Sequence, residues 1–482
     1  MSNKGLSPRQ KWLILSTTSL GVFMSTLDAS IVNIAMPKIT AYYQVSLGSV
    51  EWVVMVYLLL ISSLLLTYGR LGDMYGHKPV YVSGFAIFTL GSALSSISPT
   101  IGLLIASRAV QALGAGMMMA VVQAIIAAAF EPAERGKAIG INAMFVSLGL
   151  ATGPTIGGFL TSYFGWQSIF AINIPIGIGA TIWAWRVLPY HRGKPQKFDV
   201  TGACSTFVAL MTFLLALSHG EEWGWGSPAV LGLFAVSFCS FVLFLVIESR
   251  VEHPMIHLGL FKNRLFAGAN LAAVFNYLSQ YTVTFLMPFY LQDFLKMPAN
   301  QAGLVMTAFP LVMMLTAPIS GILSDRMGSR ALTSVGMGIT SLAALLLSML
   351  YLTQNLLLVI FGLALVGMGT GLFLSPNNNA IMSSVPKNQM GIGSGMLATM
   401  RNLGQVLGIA VSGAVFSNRL AYYTGKLQAV GYDLQAIQHY SFVWAMRDTY
   451  LVAMVIAILG AFVSLMRGDS PAGAKHIVKE AS

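Results

Sequence analysis

The chain has 482 residues, of which 56% are hydrophobic and only 9% charged, and its formal net charge is +11. A soluble domain carries about a quarter charged residues, so this composition excludes a soluble globular protein and indicates an integral membrane protein. Short alternating segments separated by turns are absent, which argues against a β-barrel, and the positive balance fits loops that flank membrane spans better than a nucleic-acid partner.

In chain order, Lys4, Arg9 and Lys11 precede an apolar run of about 25 residues, too long for the core of a cleavable signal and long enough to span. Apolar runs of spanning length lie near 12–36, 50–68, 79–97, 101–129, 138–162, 168–188, 200–218, 228–247, 265–291, 301–323, 331–352, 356–384, 392–416 and 447–466. This predicts fourteen transmembrane helices, with Pro376 kinking the twelfth. With the N-terminus inside, twenty of the 27 Lys and Arg residues fall on the inner side and five on the outer, with Arg108 and Arg401 inside spans. That bias predicts cytoplasmic termini. Residues 417–446 read as one long outer loop. Cys204 and Cys239 lie inside apolar runs, so no disulfide is expected.

A short charged hinge follows the second run, with Gly69, Arg70, Asp73 and Gly76. It recurs after the tenth, where Gly321, Asp325 and Gly328 align with Gly69, Asp73 and Gly76. A hinge repeated about 250 residues apart implies two related halves. The division that follows is a six-helix bundle over 1–188 and a second bundle with its tail over 264–482. Between them, 189–263 holds a basic linker, two inserted helices and an amphipathic connection. The fold class is thus all-α, integral membrane, two six-helix bundles plus two inserted helices.

Polar groups inside spans cost several kcal/mol unless paired or wetted, so they mark candidate sites. Asp28 lies about 13 Å below the outer end of the first helix, and Arg108 about 12 Å below the outer start of the fourth, at 1.5 Å per residue. Similar depth makes them partners, either as a proton or cation site or as a structural ion pair. Burial disfavours the charged carboxylate and a guanidinium favours it, so small rearrangements can bind and release a proton. Gln111 shares Arg108's helix face and can bond Asp28, bind substrate or simply pack. Glu51 opens the second helix beside Trp52, as a solvated helix-start acid or a second protonation site. Asn276 and Gln280 share one face of the ninth helix, as do Tyr277 and Tyr281, and the first pair are candidates to line the central substrate cavity. Arg401 and Gln405 share a face of the thirteenth, where Arg401 either binds an anionic group or pairs with a carbonyl. Asn377, Asn378 and Asn379 beside Pro376 either line a pathway or satisfy backbone groups freed by the proline. Gly149, Gly153 and Gly157 in the fifth helix have small-xxx-small spacing, which permits close helix approach, and Pro154 bends that helix.

These motifs together resemble the major facilitator superfamily, and within it the 14-helix drug:proton antiporters. The hinge at 69–78 is similar to the superfamily's loop signature, and Leu27 through Pro37 to the first-helix signature of the 14-helix group. Arg108 through Gly114 resembles the fourth-helix signature, with Ala112 where glycine is usual. Gly149 through Gly158 resembles the antiporter signature throughout, and Trp166 through Gly177 and Phe198 through Gly202 also resemble the 14-helix group. The resemblance implies alternating access, exchange of entering protons for outgoing substrate, and a monomer. It implies that Asp73, meeting the start of the thirteenth helix near Gly391-Ile392-Gly393, latches the outward-facing state. It also implies that Gly149, Gly153, Pro154, Gly157 and Gly158 close the path against proton leak.

The expected function is proton-coupled multidrug efflux of amphipathic, cationic compounds across the cell membrane, with export of one specific metabolite, lipid or anionic compound as the alternative. An uptake symporter is a rival that the fifth-helix signature opposes. No P-loop, nucleophile–base constellation or metal-ligand spacing occurs in the sequence, so neither an enzyme, a metal nor a cofactor is expected.

Overall fold

The computed structural model describes residues 7–190, 200–251, 258–351, 354–385 and 390–468. Among the described residues, fourteen long helical elements follow one another. They are α1 (Pro8–Tyr43), α2 (Leu47–Tyr75), α3 (His77–Ser96), α4 (Ile101–Ala129), α5 (Pro132–Phe164) and α6, which comes in two pieces (Ser168–Ala171, Asn173–Val187). The next are α7 (Val200–Trp223), α8 (Pro228–Arg250), α9 (Arg264–Phe289) and α10, again in two pieces (Ala299–Met306, Ala308–Met327). Last come α11 (Ser329–Ser348), α12 (Leu356–Ser383), α13 (Met390–Val430) and α14 (Leu434–Met466). Twelve of them are long and apolar enough to cross a membrane; α9 and α13 are long enough but carry more polar residues.

Several helices outrun their apolar stretches because capping, not hydropathy, ends a helix. Ser7 caps α1 in a reciprocal box with Gln10, and Asp433 caps α14 by accepting from Ala436 N. The expected outer loop over 417–446 is corrected here. It is helix on both sides of a short turn, because aromatic contacts and an ion-pair cluster tie the two helical arms together. Tyr423 and Tyr440 both pack on Trp444, at 5.3 and 5.6 Å between ring centroids, and Asp448 joins Arg447, Arg419 and Tyr423. α12 runs unbroken through Pro376. Cys204 and Cys239 are free and exposed.

Two compact units can be distinguished, residues 1–255 with 287–307 and residues 256–286 with 308–482. The hinge repeat is visible in the backbone. Gly76 and Gly328 begin α3 and α11 at φ of +99° and +81°, a region that favours glycine. The repeat extends further. Gly84 and Gly336 are separated by the same offset as Gly76 and Gly328. Each lets its helix lie against a carbonyl of the next, that of Gly114 in α4 and of Gly369 in α12.

In the first unit, α1 and α5 pack through a glycine seam. A Cβ on Gly149, Gly153 or Gly157 would overlap Thr26, Ser30 or Ile34, which are themselves four apart on α1. Pro154 lacks an N–H and leaves the carbonyl four residues earlier without a helical partner. That carbonyl, of Leu150, accepts from Ser30 Oγ at 3.1 Å. Lys11 ties the other ends of the two helices to Glu134 (2.8 Å) and Glu131 (3.5 Å). In the second unit, hydroxyls bond neighbouring helices' carbonyls: Ser279 to Ala453, Thr282 to Gly408 and Ser320 to Gly371. Such bonds satisfy groups that lipid cannot.

Candidate functional site

The structure brings Asp28, Arg108 and Gln111 into one buried cluster. Arg108 Nη1 donates to Asp28 Oδ2 and to Gln111 Oε1, both at 2.5 Å. Gln111 Nε2 donates to Asp28 Oδ1 and to Ser92 Oγ, both at 2.8 Å. Asn173 Nδ2 reaches the same Oδ1 at 3.0 Å. Arg108 Nε donates to the Val53 carbonyl at 3.0 Å, and its guanidinium lies 4.1 Å from the Tyr57 ring centroid and 5.5 Å from that of Phe170. Asp28, Arg108 and Gln111 are 0% exposed, which makes this a dry, charge-assisted network in which geometry counts heavily.

Six helices build it. α1 carries Asp28 and α4 presents Arg108 and Gln111 three residues apart on one face. α3 supplies Ser92, and α2 supplies Val53 and Tyr57. α6 supplies Phe170 and Asn173, and α5 buttresses α1 from behind through the glycine seam. Asn173 was missed in the sequence. Pro175 removes the helical bond to the Ala171 carbonyl, and the hydrogen-bond ladder of α6 is interrupted at Ile172, whose backbone stays helical at φ −59° and ψ −29°. Asn173 therefore keeps the helical register of Phe170, three residues earlier, and both reach the cluster. A polar residue two before an in-span proline was the available signal.

Gly91 was also missed. A Cβ on it would sit 2.5 Å from Gln111 Cα, so this glycine sets how closely α4 approaches α3 where Gln111 joins the network. Gly91→Val is expected to part the helices there, breaking the Ser92–Gln111 bond. It should destabilise the fold by about 1–3 kcal/mol, the usual cost of overpacking. Thermal unfolding of the purified protein measures this.

Of the remaining candidates, Glu51 departs from its solvated reading. It lies five residues into α2, is 1% exposed, and its Oε1 has no hydrogen-bond partner among the described residues. The helix starts earlier than the apolar run, at Ser46, which accepts from Ser49 N as the cap. Beside it, Trp52 stacks on His219 of the inserted helix α7, which stacks in turn on Trp223. Asn276, Gln280 and Gln405 are buried in the second unit, and Arg401 and Asn378 are half-buried. The neighbouring Asn377 is fixed, donating to the Ala269 carbonyl at 3.1 Å and accepting from Arg467 Nη1. In the hinge, Gly69 falls within α2 and Gly76 precedes α3 as its cap, but the side chains of Arg70 and Asp73 lie outside the described residues. Gly149, Gly153 and Gly157 line the α1 seam, while Gly158 lets α5 approach the Ala299 carbonyl of α10. Among the described residues no cluster suits a metal ion.

Comparison with known proteins follows this geometry. The family model of the Major Facilitator Superfamily matches residues 18–266 and 269–480. The chain is 38% identical over 457 residues to the riboflavin transporter RibZ of Clostridioides difficile (strain 630), covering 93% of this chain and 97% of that protein. It is 32% identical over 421 residues to the multidrug transporter protein MdtP of Bacillus subtilis (strain 168), covering 87% and 77% respectively. Among solved structures, a bacterial homolog of the human lysosomal transporter Spinster, inward-facing and occupied, superposes with a TM-score of 0.70 at 15% identity, covering 96% of this chain and 97% of that one. The fold, the polar cluster in a helical bundle and these matches agree: the chain is a membrane transporter that belongs to the Major Facilitator Superfamily.

Proposed function

We propose that this transporter exports small amphipathic compounds from the cell in exchange for entering protons, by alternating access, with Asp28 as the proton carrier. The observation that carries the proposal is the Asp28 carboxylate, which has no access to water and is held by three donors on two other helices. An intramembrane acid costs too much to be retained idly, and each donor that moves away changes the balance between its charged and protonated forms. Arg108 competes with the proton for Asp28. Glu51, buried with an unpartnered oxygen, is the second acid of the reading. On this reading the protein works as a monomer in the cell membrane with both termini cytoplasmic. Asp73 of the hinge acts as a latch and touches no substrate.

Two substrate ranges are compatible with this mechanism. Multidrug efflux is supported by relatives such as MdtP. Export of one metabolite is supported by the riboflavin transporter at 38% identity. A resistance screen against many compounds, set beside sensitivity to one, separates them.

The coupling is tested with purified protein in liposomes that hold a pH-sensitive dye. Substrate added on one side should move protons with the wild-type chain, and with the Asp28→Asn/Arg108→Gln double variant, which leaves no unpaired charge in the cluster, the signal should fall at least a hundredfold. Equal signals from both proteins would remove Asp28 from the mechanism and leave Glu51 as the carrier to test.

A further inference from the structure

The second unit holds a polar arc with no internal use. Asn276 on α9 is 0% exposed, and neither its Oδ1 nor its Nδ2 has a hydrogen-bond partner among the described residues. One turn on, Gln280 is 6% exposed and its Oε1 is likewise unpartnered. A buried polar group left unsatisfied costs about 1–3 kcal/mol, so two such carboxamides in adjacent turns call for a partner. At about 100° per residue, the two amides lie within about 40° of each other on α9, and Tyr277 and Tyr281 continue the same arc to about 140°.

α13 completes the arc. Gly404 and Gly408 let it press against α9 at the Cβ atoms of Tyr277 and Tyr281. Arg401, one turn before Gly404 on α13, shares its side of that helix to within about 60° and is half-buried. The arc therefore offers amide donors and acceptors, two aromatic side chains and one cation.

A carboxylate is what it does not offer. Between residues 264 and 466 the sequence has only Asp293, Asp325, Asp433 and Asp448 as acids. Asp325 belongs to the hinge, Asp433 caps α14, Asp448 is taken by Arg447 and Arg419, and Asp293 lies past Pro288. In the first unit Asp28 already holds three donors. A lipophilic cation brought to this arc would meet Arg401 and no neutralising group.

We infer that this arc binds a planar heteroaromatic compound that bears no positive charge and carries an amide- or imide-type edge. A carboxamide presents a donor and an acceptor side by side, which matches such an edge in two bonds at once. Tyrosine faces suit the ring, and Arg401 favours electron-rich or anionic substituents. The inference rests on the transport reading above and narrows its substrate class.

Equilibrium binding to the purified full-length protein, with no gradient present, tests it apart from proton coupling. The probes are lumichrome, its N1,N3-dimethyl derivative, which lacks both ring N–H donors, and ethidium, a planar cation. Lumichrome should bind at least tenfold more tightly than either of the others. Asn276→Ala should weaken lumichrome at least tenfold while changing ethidium less than twofold. Gln280→Glu, which places a carboxylate in the arc, should shift the preference toward ethidium. Tighter binding of ethidium to the wild type, no binding of lumichrome, or equal effects of Asn276→Ala on all three probes would overturn the inference. That last result would mean that the amides serve only a buried water. Lumichrome binding without proton movement in liposomes would leave the inference standing and remove only the coupling.

Discussion

A protein carrying Asp28→Asn and Arg108→Gln together is expected to fold and to have lost proton exchange by at least a hundredfold, whereas Asp28→Asn alone should fold poorly. The asymmetry comes from what each group can do when its partner goes. Arg108 cannot shed its charge in a protein. With asparagine at 28, a permanent cation stays in a dry cluster, and breaking a buried pair from one side costs about 3–5 kcal/mol. The Tyr57 ring face over the guanidinium contributes about 2 kcal/mol as a desolvated cation–π contact, but it does so in the wild type as well and does not replace the lost carboxylate. With glutamine at 108 alone, Asp28 keeps its donors from Gln111 and Asn173 and can also take up a proton. Arg108→Gln should therefore unfold at a temperature nearer the wild type than Asp28→Asn does. The double variant removes both charges and should recover most of the stability. Thermal unfolding of the three variants gives the order, and the pH dye in liposomes gives the exchange. A stable double variant that still exchanges protons would show that this cluster is architecture and would move attention to Glu51.

How much of this was legible follows from what each signal encodes. Fourteen helices were readable because lipid demands about 20 apolar residues per span. Asp28 and Arg108 could be paired because rise per residue converts position into depth, and Gln111 followed from its three-residue spacing. Asn173 could not be found that way, since nothing in its spacing ties it to Asp28 until the sixth helix packs on the first. Gly91 gave no sign either, because its role is to have no side chain where α4 crosses. Glu51 was misplaced because the apolar run begins at residue 50, which puts Glu51 at the helix start, while the helix itself begins at Leu47. The segment 417–446 was misread for the converse reason: apolar windows report what touches lipid, and a polar helical hairpin tied by Tyr423, Tyr440, Trp444 and Asp448 does not register. The hinge repeat was legible in full as sequence, and the matching turns at Gly76 and Gly328 give it a backbone meaning. What hydropathy and spacing cannot reach is an interaction made by one atom across helices.

The seam between α5 and the first piece of α10 leads to the second large expected effect: Gly303→Val should make membranes leak protons with no substrate present. A side chain on Gly303 would overlap the Pro154 carbonyl, and one on Gly158 would overlap the Ala299 carbonyl, so each helix presents a glycine to the other's backbone. Thr155 and Thr307 share a hydrogen bond of 2.6 Å at one end of the seam, and Asn300 N donates to Ser162 Oγ at 3.0 Å at the other. Gln292, in the π-turn before α10, donates to the Ile34 carbonyl of α1 at 2.7 Å and anchors the approach. Backbone cannot rotate away as a side-chain tip can, so valine must push the helices apart along the seam. On the proposed topology this is the outer side, and water entering there would reach toward Asp28 without waiting for substrate. Dye-loaded liposomes with the Gly303→Val protein should lose an imposed pH difference at least tenfold faster than wild type. Gly338→Val, at a glycine with no atom within 4 Å of an added Cβ, should leave that rate unchanged and stability within about 0.5 kcal/mol. A Gly303→Val protein that is folded, tight and inactive would mean that the seam positions α10 but does not seal. The leak would separate these cases because it needs neither substrate nor turnover, and reads only whether two helices can still meet at a carbonyl.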